Sequence, residues 1–157
     1  MKDEAHTFRV MLRVRYSECD QQGIVFNARY ADYVDLFMGE LVRAAFGNYQ
    51  AFLDEHLDTH VVRYLIEWIS PARYDDVLAL TITQLEFSNT SFKTHIEITR
   101  SPDKRRIANV EIVNVIVNPH KKTKTPIPAT CRERLRAAAA GPTFNYSGDF
   151  NYSEAAA

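Results

Sequence analysis

The stretch ARYADYVDLFMGELVRAAF, residues 28–46, sets Tyr30, Tyr33, Val34, Phe37, Leu41, Ala44 and Ala45 on one side of a helical period. One long helix with a single apolar face is predicted, with Asn27 as its N-cap and Gly47 as its stop. Such a face needs a sheet to bury it, and the flanking sequence supplies one. Upstream, TFRVMLRVRY (7–16) alternates, with Phe8, Val10, Leu12 and Val14 on one face and Arg9, Arg13 and Arg15 on the other. Downstream, after a short helical turn over 49–56 with Phe52 and Leu53 inward, the period changes to alternation.

Four runs rich in β-branched and aromatic residues follow, at 59–70, 77–87, 91–100 and 106–118. The polar stretches SNTS (88–91) and SPDK (101–104) suit hairpin turns. A last helix is expected over 129–139, between Pro126/Pro128 and Gly141-Pro142. The order strand, long helix, short helix, four strands, helix describes an α+β domain, with an antiparallel sheet of about five strands packed on the helix. We assign it to residues 1–142 and expect 143–157, which repeats FNYS, to be a flexible tail; a strand onto a neighbouring subunit is the alternative. Exposed sheet edges favour pairing with a second copy.

The 157 residues carry 19 Lys+Arg against 20 Asp+Glu, net -1, which gives no support to nucleic acid or an acidic membrane as partner. Cys19 and Cys131 are far apart with no CxxC pattern, arguing against a disulfide framework or a zinc site. No apolar leader or membrane-length segment is visible, so a soluble cytoplasmic protein is expected.

Between first strand and long helix lies YSECDQQGIVFNARY (16–30), where Asp20 stands seven residues before Asn27, with Gly23 between. A helix N-terminus offers free backbone N–H groups and a partial positive charge, suited to an oxyanion. A carboxylate beside those donors can act as base or nucleophile on a bound carbonyl, while Ile24, Val25 and Phe26 exclude water. On spacing alone, a turn or capping role for Asp20 is the simpler reading.

The pattern Y-x-x-x-D-x-x-G-x-V-x-x-x-x-Y, met by Tyr16, Asp20, Gly23, Val25 and Tyr30, resembles the active-site signature of hotdog-fold acyl-CoA thioesterases of the 4-hydroxybenzoyl-CoA type. The resemblance continues through Asp35, Glu40 and Arg43, and resumes at IEWISPARYDD (66–76). Two departures are Asp75, where the family has a glycine, and Trp68, where a tyrosine is common. The resemblance implies a hotdog fold, and a dimer or dimer of dimers with sites between subunits. It further implies hydrolysis of an acyl-CoA or acyl-carrier-protein thioester without metal or cofactor, coenzyme A entering only as part of the substrate. Asp20 is then the catalytic carboxylate, and the backbone N–H near Asn27 polarises the thioester oxygen. Tyr16, Gly23, Ile24, Val25, Phe26 and Tyr30 shape the substrate site. The basic runs KRR (104–106) and KKTK (121–124), with Arg105, Arg106, Lys121 and Lys122, are candidates for the CoA phosphates or are solvated turns. A hydratase or dehydratase of acyl thioesters and a non-catalytic acyl-CoA-binding module are the rival functions. His56 and His60 stand four apart, but across the end of a short helix, so their side chains are expected to diverge.

Overall fold

The computed structural model describes residues 6–148. β1 (Arg9–Arg13) leads through a single 3-10 turn (Tyr16–Glu18) to the long helix α1 (Arg29–Phe46), then α2 (Tyr49–Asp54). Four strands follow: β2 (Asp58–Trp68), β3 (Val77–Phe87), β4 (Ser91–Ser101) and β5 (Arg105–Asn118). The chain closes with β6 (Thr123–Lys124), α3 (Ala129–Ala139) and β7 (Thr143–Tyr146). One sheet runs in the order β2-β5-β4-β3-β1-β7, with β6 added to β5. Its pairs are antiparallel except β1 with β7, which are parallel.

The alternating faces of the strands explain where α1 lies. Phe92, Ile96 and Ile98 of β4 and Ala108, Val110, Ile112 and Ile116 of β5 are buried with Tyr30, Tyr33, Val34, Phe37 and Leu41 of α1. Phe37 is wholly buried and meets the Phe8 ring edge-on at 5.0 Å. Truncating such an aromatic to alanine costs about 3–5 kcal/mol.

Three expectations are corrected. The helix face turns slightly away from the predicted one: Ala44 is exposed, while Met38, Val42 and Glu40 are buried. Asn27 is not the N-cap. The helix starts one residue later on Ala28, which has no side-chain cap. Finally, the segment assigned to a tail begins as ordered structure, because Thr143–Tyr146 pairs with β1 of its own chain. The first FNYS copy forms that strand and Ser147 behind it; the second, at 150–153, lies outside the described residues.

Candidate active site

The loop between β1 and α1 is pinned from both sides. Val25 N–H donates to the Ala72 carbonyl at 2.9 Å and Phe26 N–H to the Glu18 carbonyl at 2.9 Å. Within it, Asp20 N–H donates to Ile24 O at 2.8 Å and Gly23 N–H to Asp20 O at 2.9 Å, closing a tight turn. Gly23 sits at φ 72°, a conformation that side chains with a Cβ resist. The Asp20 carboxylate joins this turn. Its Oδ1 accepts from Gln22 N–H at 2.8 Å, while Oδ2 has no partner among the described residues. One carboxylate oxygen thus fixes the side chain in the turn, and the other is unpartnered among the described residues.

Asp20 opens on a cleft of about 440 Å³. Gln22, Ile24, Val25, Phe26, Asn27 and Tyr30 form one wall; Trp68, Ile69, Ser70 and Pro71 form the other. The Asn27 side chain is exposed, and its backbone N–H meets no acceptor among the described residues. At the start of α1, Arg29 N–H donates to the Phe26 carbonyl at 2.9 Å and Ala31 N–H to the Ala28 carbonyl at 3.3 Å, so the amide left for a ligand on the cleft wall is that of Asn27. The arrangement can hold a carbonyl oxygen at the helix mouth with a carboxylate beside it.

Tyr30 anchors this wall. It is 2% exposed and stacks edge-on with Trp68 at 6.3 Å. Burial pushes its hydroxyl up to about 12, against a hydrogen bond with the Ala72 backbone that favours ionisation. The tyrosine stays protonated at neutral pH and serves as a packed post.

The structure brings together Asp20, Ile24, Val25, Phe26, Asn27 and Tyr30, with Gly23 supplying the turn. Tyr16 is not brought there: it is 82% exposed and packs against Tyr74, off the cleft. The four basic candidates separate. Arg105 and Arg106 begin β5 next to the cleft, where Ser70 hydrogen-bonds the Arg106 carbonyl. Lys121 and Lys122 follow the other end of the same strand, roughly 40 Å away by its rise, so one protomer cannot use all four on one ligand at the cleft. His56 packs on His120 while His60 lies on β2, so the two do diverge.

Sequence reasoning missed Glu18. It is 6% exposed and accepts from Arg15 N–H at 2.8 Å, from the Arg15 side chain at 2.9 Å and from the Tyr33 hydroxyl at 2.8 Å. Burial alone would raise its carboxyl, but these hydrogen bonds outweigh burial and hold it below the usual carboxylate range. Its helical partner Tyr33 is correspondingly pushed up, by burial first and by the Glu18 charge. The spacing Arg15-x-x-Glu18 before a helix with a buried tyrosine was the available signal. Ser70 and Pro71 were missed as site residues because they lie far along the chain, whereas Trp68, in the stretch where the resemblance resumes, does border the cleft.

A second cavity, of about 650 Å³, lies farther along α1 between the helix and β2, bordered by Ala31, Val34, Met38 and Tyr64. Tyr64, which borders this cavity, donates its hydroxyl at 3.2 Å to the carbonyl of Tyr30, which borders the cleft.

Known proteins share this architecture. The acyl-CoA thioester hydrolase YbgC of Escherichia coli is 27% identical over 123 residues, which is 77% of this chain and 90% of YbgC. A 1,4-dihydroxy-2-naphthoyl-CoA thioesterase from Synechocystis superposes with a TM-score of 0.73 at 18% identity, over 82% of this chain and 95% of the other. A 4-hydroxybenzoyl CoA thioesterase variant, complexed with 4-hydroxybenzoyl CoA, gives 0.73 at 19%, over 83% and 99%. These likenesses establish the hotdog arrangement, a sheet wrapped on one long helix. With its family model matched over residues 14–135, the chain belongs to the thioesterase-like superfamily.

Proposed function

We propose that this protein hydrolyses the thioester of an acyl-CoA, or of an acyl-carrier protein, to a carboxylic acid and a free thiol. The observation that carries the reading is the cleft shared by the Asp20 carboxylate and Asn27, whose backbone N–H just ahead of α1 has no acceptor among the described residues. The thioester carbonyl oxygen accepts from the Asn27 N–H, which makes its carbon electrophilic. Asp20 takes a proton from a water, and the water oxygen bonds to that carbon. The C–S bond then breaks, and the sulfur leaves with the proton from Asp20. In the nucleophilic version an Asp20 oxygen bonds to the carbon, and the C–S bond breaks to release the thiolate. Water then cleaves the anhydride, freeing the acid and Asp20, while a proton from that water ends on the sulfur. Either route uses only protein groups and water. The YbgC relative supports the substrate class, and the neighbour complexed with 4-hydroxybenzoyl CoA supports a fold suited to it.

The site is completed by a second copy. β2 is a sheet edge with Val61, Val62 and Leu65 exposed, and Trp68 and Ile69 continue the apolar strip into the cleft. Pairing two such edges would extend the sheet, bury the strip and roof the cleft. Arg105 and Arg106 are the CoA-phosphate candidates beside the cleft.

The test is Asp20→Asn, which keeps an oxygen for Gln22 N–H but removes the base. Thiol release should fall on the order of 10² to 10⁴-fold with the melting temperature little changed. Unchanged turnover would take Asp20 out of the reaction. Hydration of an enoyl thioester without thiol release would instead favour the hydratase reading.

A further inference from the structure

The second cavity contains a group that the proposed hydrolysis does not use. Asn114 of β5 is 4% exposed, borders the cavity, and its side-chain Oδ1 is buried with no hydrogen-bond partner among the described residues. A buried amide oxygen left unpaired costs on the order of 1–3 kcal/mol, and a ligand donor reaching it would recover that cost. Val34, Met38, Phe92 and Ile112 supply the apolar part of the lining, and Asp35, Arg43 and Thr59 also border the cavity. The cavity falls within the size range of small-molecule sites, which pair an apolar lining with a few fixed polar groups.

The register gives its distance from the reacting end. Trp68 at the cleft pairs with Ala108, and Asn114 lies six residues farther along β5, opposite Val61. Six residues of strand span about 20 Å. An acyl group held by its thioester at the helix mouth would reach Asn114 only as a long extended chain running past the Tyr30–Tyr64 hydrogen bond. A single aromatic ring stops short.

Resting on the thioesterase reading, we propose that the second cavity takes the far end of a long aliphatic acyl chain, and that Asn114 selects chains bearing a hydroxyl there. An orphan carbonyl oxygen needs a donor. A hydroxyl supplies one, whereas a methyl or a ketone does not. Sites that hydrogen-bond a substrate hydroxyl discriminate strongly against analogues lacking it, because the site's polar group is then buried unpaired.

The experiment compares kcat/KM for palmitoyl-CoA, its ω-hydroxy derivative and its ω-oxo derivative. The wild type should favour the hydroxy substrate over both others by roughly 10-fold or more. In Asn114→Leu, whose folding is checked by its melting temperature, that ratio should fall to about one. Equal rates on the three substrates in the wild type overturn the proposal while leaving the hydrolase reading intact, and so does a preference for the oxo chain. If no thioester releases thiol, the hydrolase reading fails separately. The cavity is then tested with free ω-hydroxypalmitate and palmitate through the fluorescence of Trp68, the single tryptophan of the chain. Tighter binding of the hydroxy acid, lost in Asn114→Leu, sustains the selectivity, and equal binding ends it.

Discussion

The Tyr33 hydroxyl of α1 donates to Glu18 Oε2 at 2.8 Å, fastening the long helix to the residue two before Asp20. This bond ties the loop between β1 and α1 to the helix, although neither residue borders the cleft. Tyr33→Phe leaves a buried carboxylate short of one donor, and should cost about 1.5–3 kcal/mol in a denaturant titration.

The same pair predicts a pH dependence. The Glu18 carboxyl is held below its unfolded value, so its contribution is fully present at neutral pH. It drains away as pH falls from about 5 through the lower folded value, because the unfolded chain takes up the proton first. Glu18→Gln should be less stable than wild type at pH 7, and the gap should narrow on acidification. A constant gap from neutral pH to the acid transition would show that ionisation of Glu18 is irrelevant.

Gly23 has open space around it, so a Cβ would meet no atom, yet its φ is 72°. Gly23→Ala therefore tests backbone conformation alone. The expected loss is on the order of 1 kcal/mol of stability, with a larger fall in kcat than change in KM as Asp20 moves off its station. A variant with wild-type kcat would mean the turn does not need that conformation.

Asp75 occupies the position where the resembled family carries glycine, and it adopts the glycine-like φ of 70°. Its Oδ1 and carbonyl oxygen each lie 3.2 Å from an Arg13 guanidinium nitrogen. The turn has kept its shape with a residue type that tolerates left-handed backbone. Asp75→Gly should be neutral to stabilising within about 1 kcal/mol, and Asp75→Val destabilising by about 1–3 kcal/mol by thermal melting. Equal behaviour of the two would show that the turn bears no strain.

The edge of β2 predicts assembly. Replacing Val62 and Leu65 together by Asp places charge on exposed positions of the strand, which should spare the folded protomer. Light scattering should then report half the mass of wild type, and thiol release should fall with it if a second copy roofs the cleft. Full activity in a single-copy species would show that the site is complete within one chain.

The parts of the molecule written as periodicity were legible in its sequence. α1 and the four long strands follow from apolar spacing, since burial on one face enforces that pattern over many residues. The near half of the cleft was also legible, because Asp20 to Tyr30 are contiguous. What escaped was decided by tertiary pairing. Ser70 and Pro71 reach the cleft only because the end of β2 lies beside the start of α1, and Glu18 is buried where Tyr33 meets it. Asn114 sits in a run that reads as plain β-strand, and its meaning lies in an oxygen without a partner, which no spacing rule records. β7 was missed because four residues carry too little alternation to be read as a strand.

That short strand has a consequence for how copies can combine. β7 occupies the outer side of β1 and is fixed by the Tyr146 hydroxyl on Glu40 at 2.8 Å, so this margin of the sheet is a strand of only four residues. The opposite margin is the eleven-residue β2. A margin as short as β7 offers few free backbone groups to a newcomer, so an added strand has far more to gain along β2.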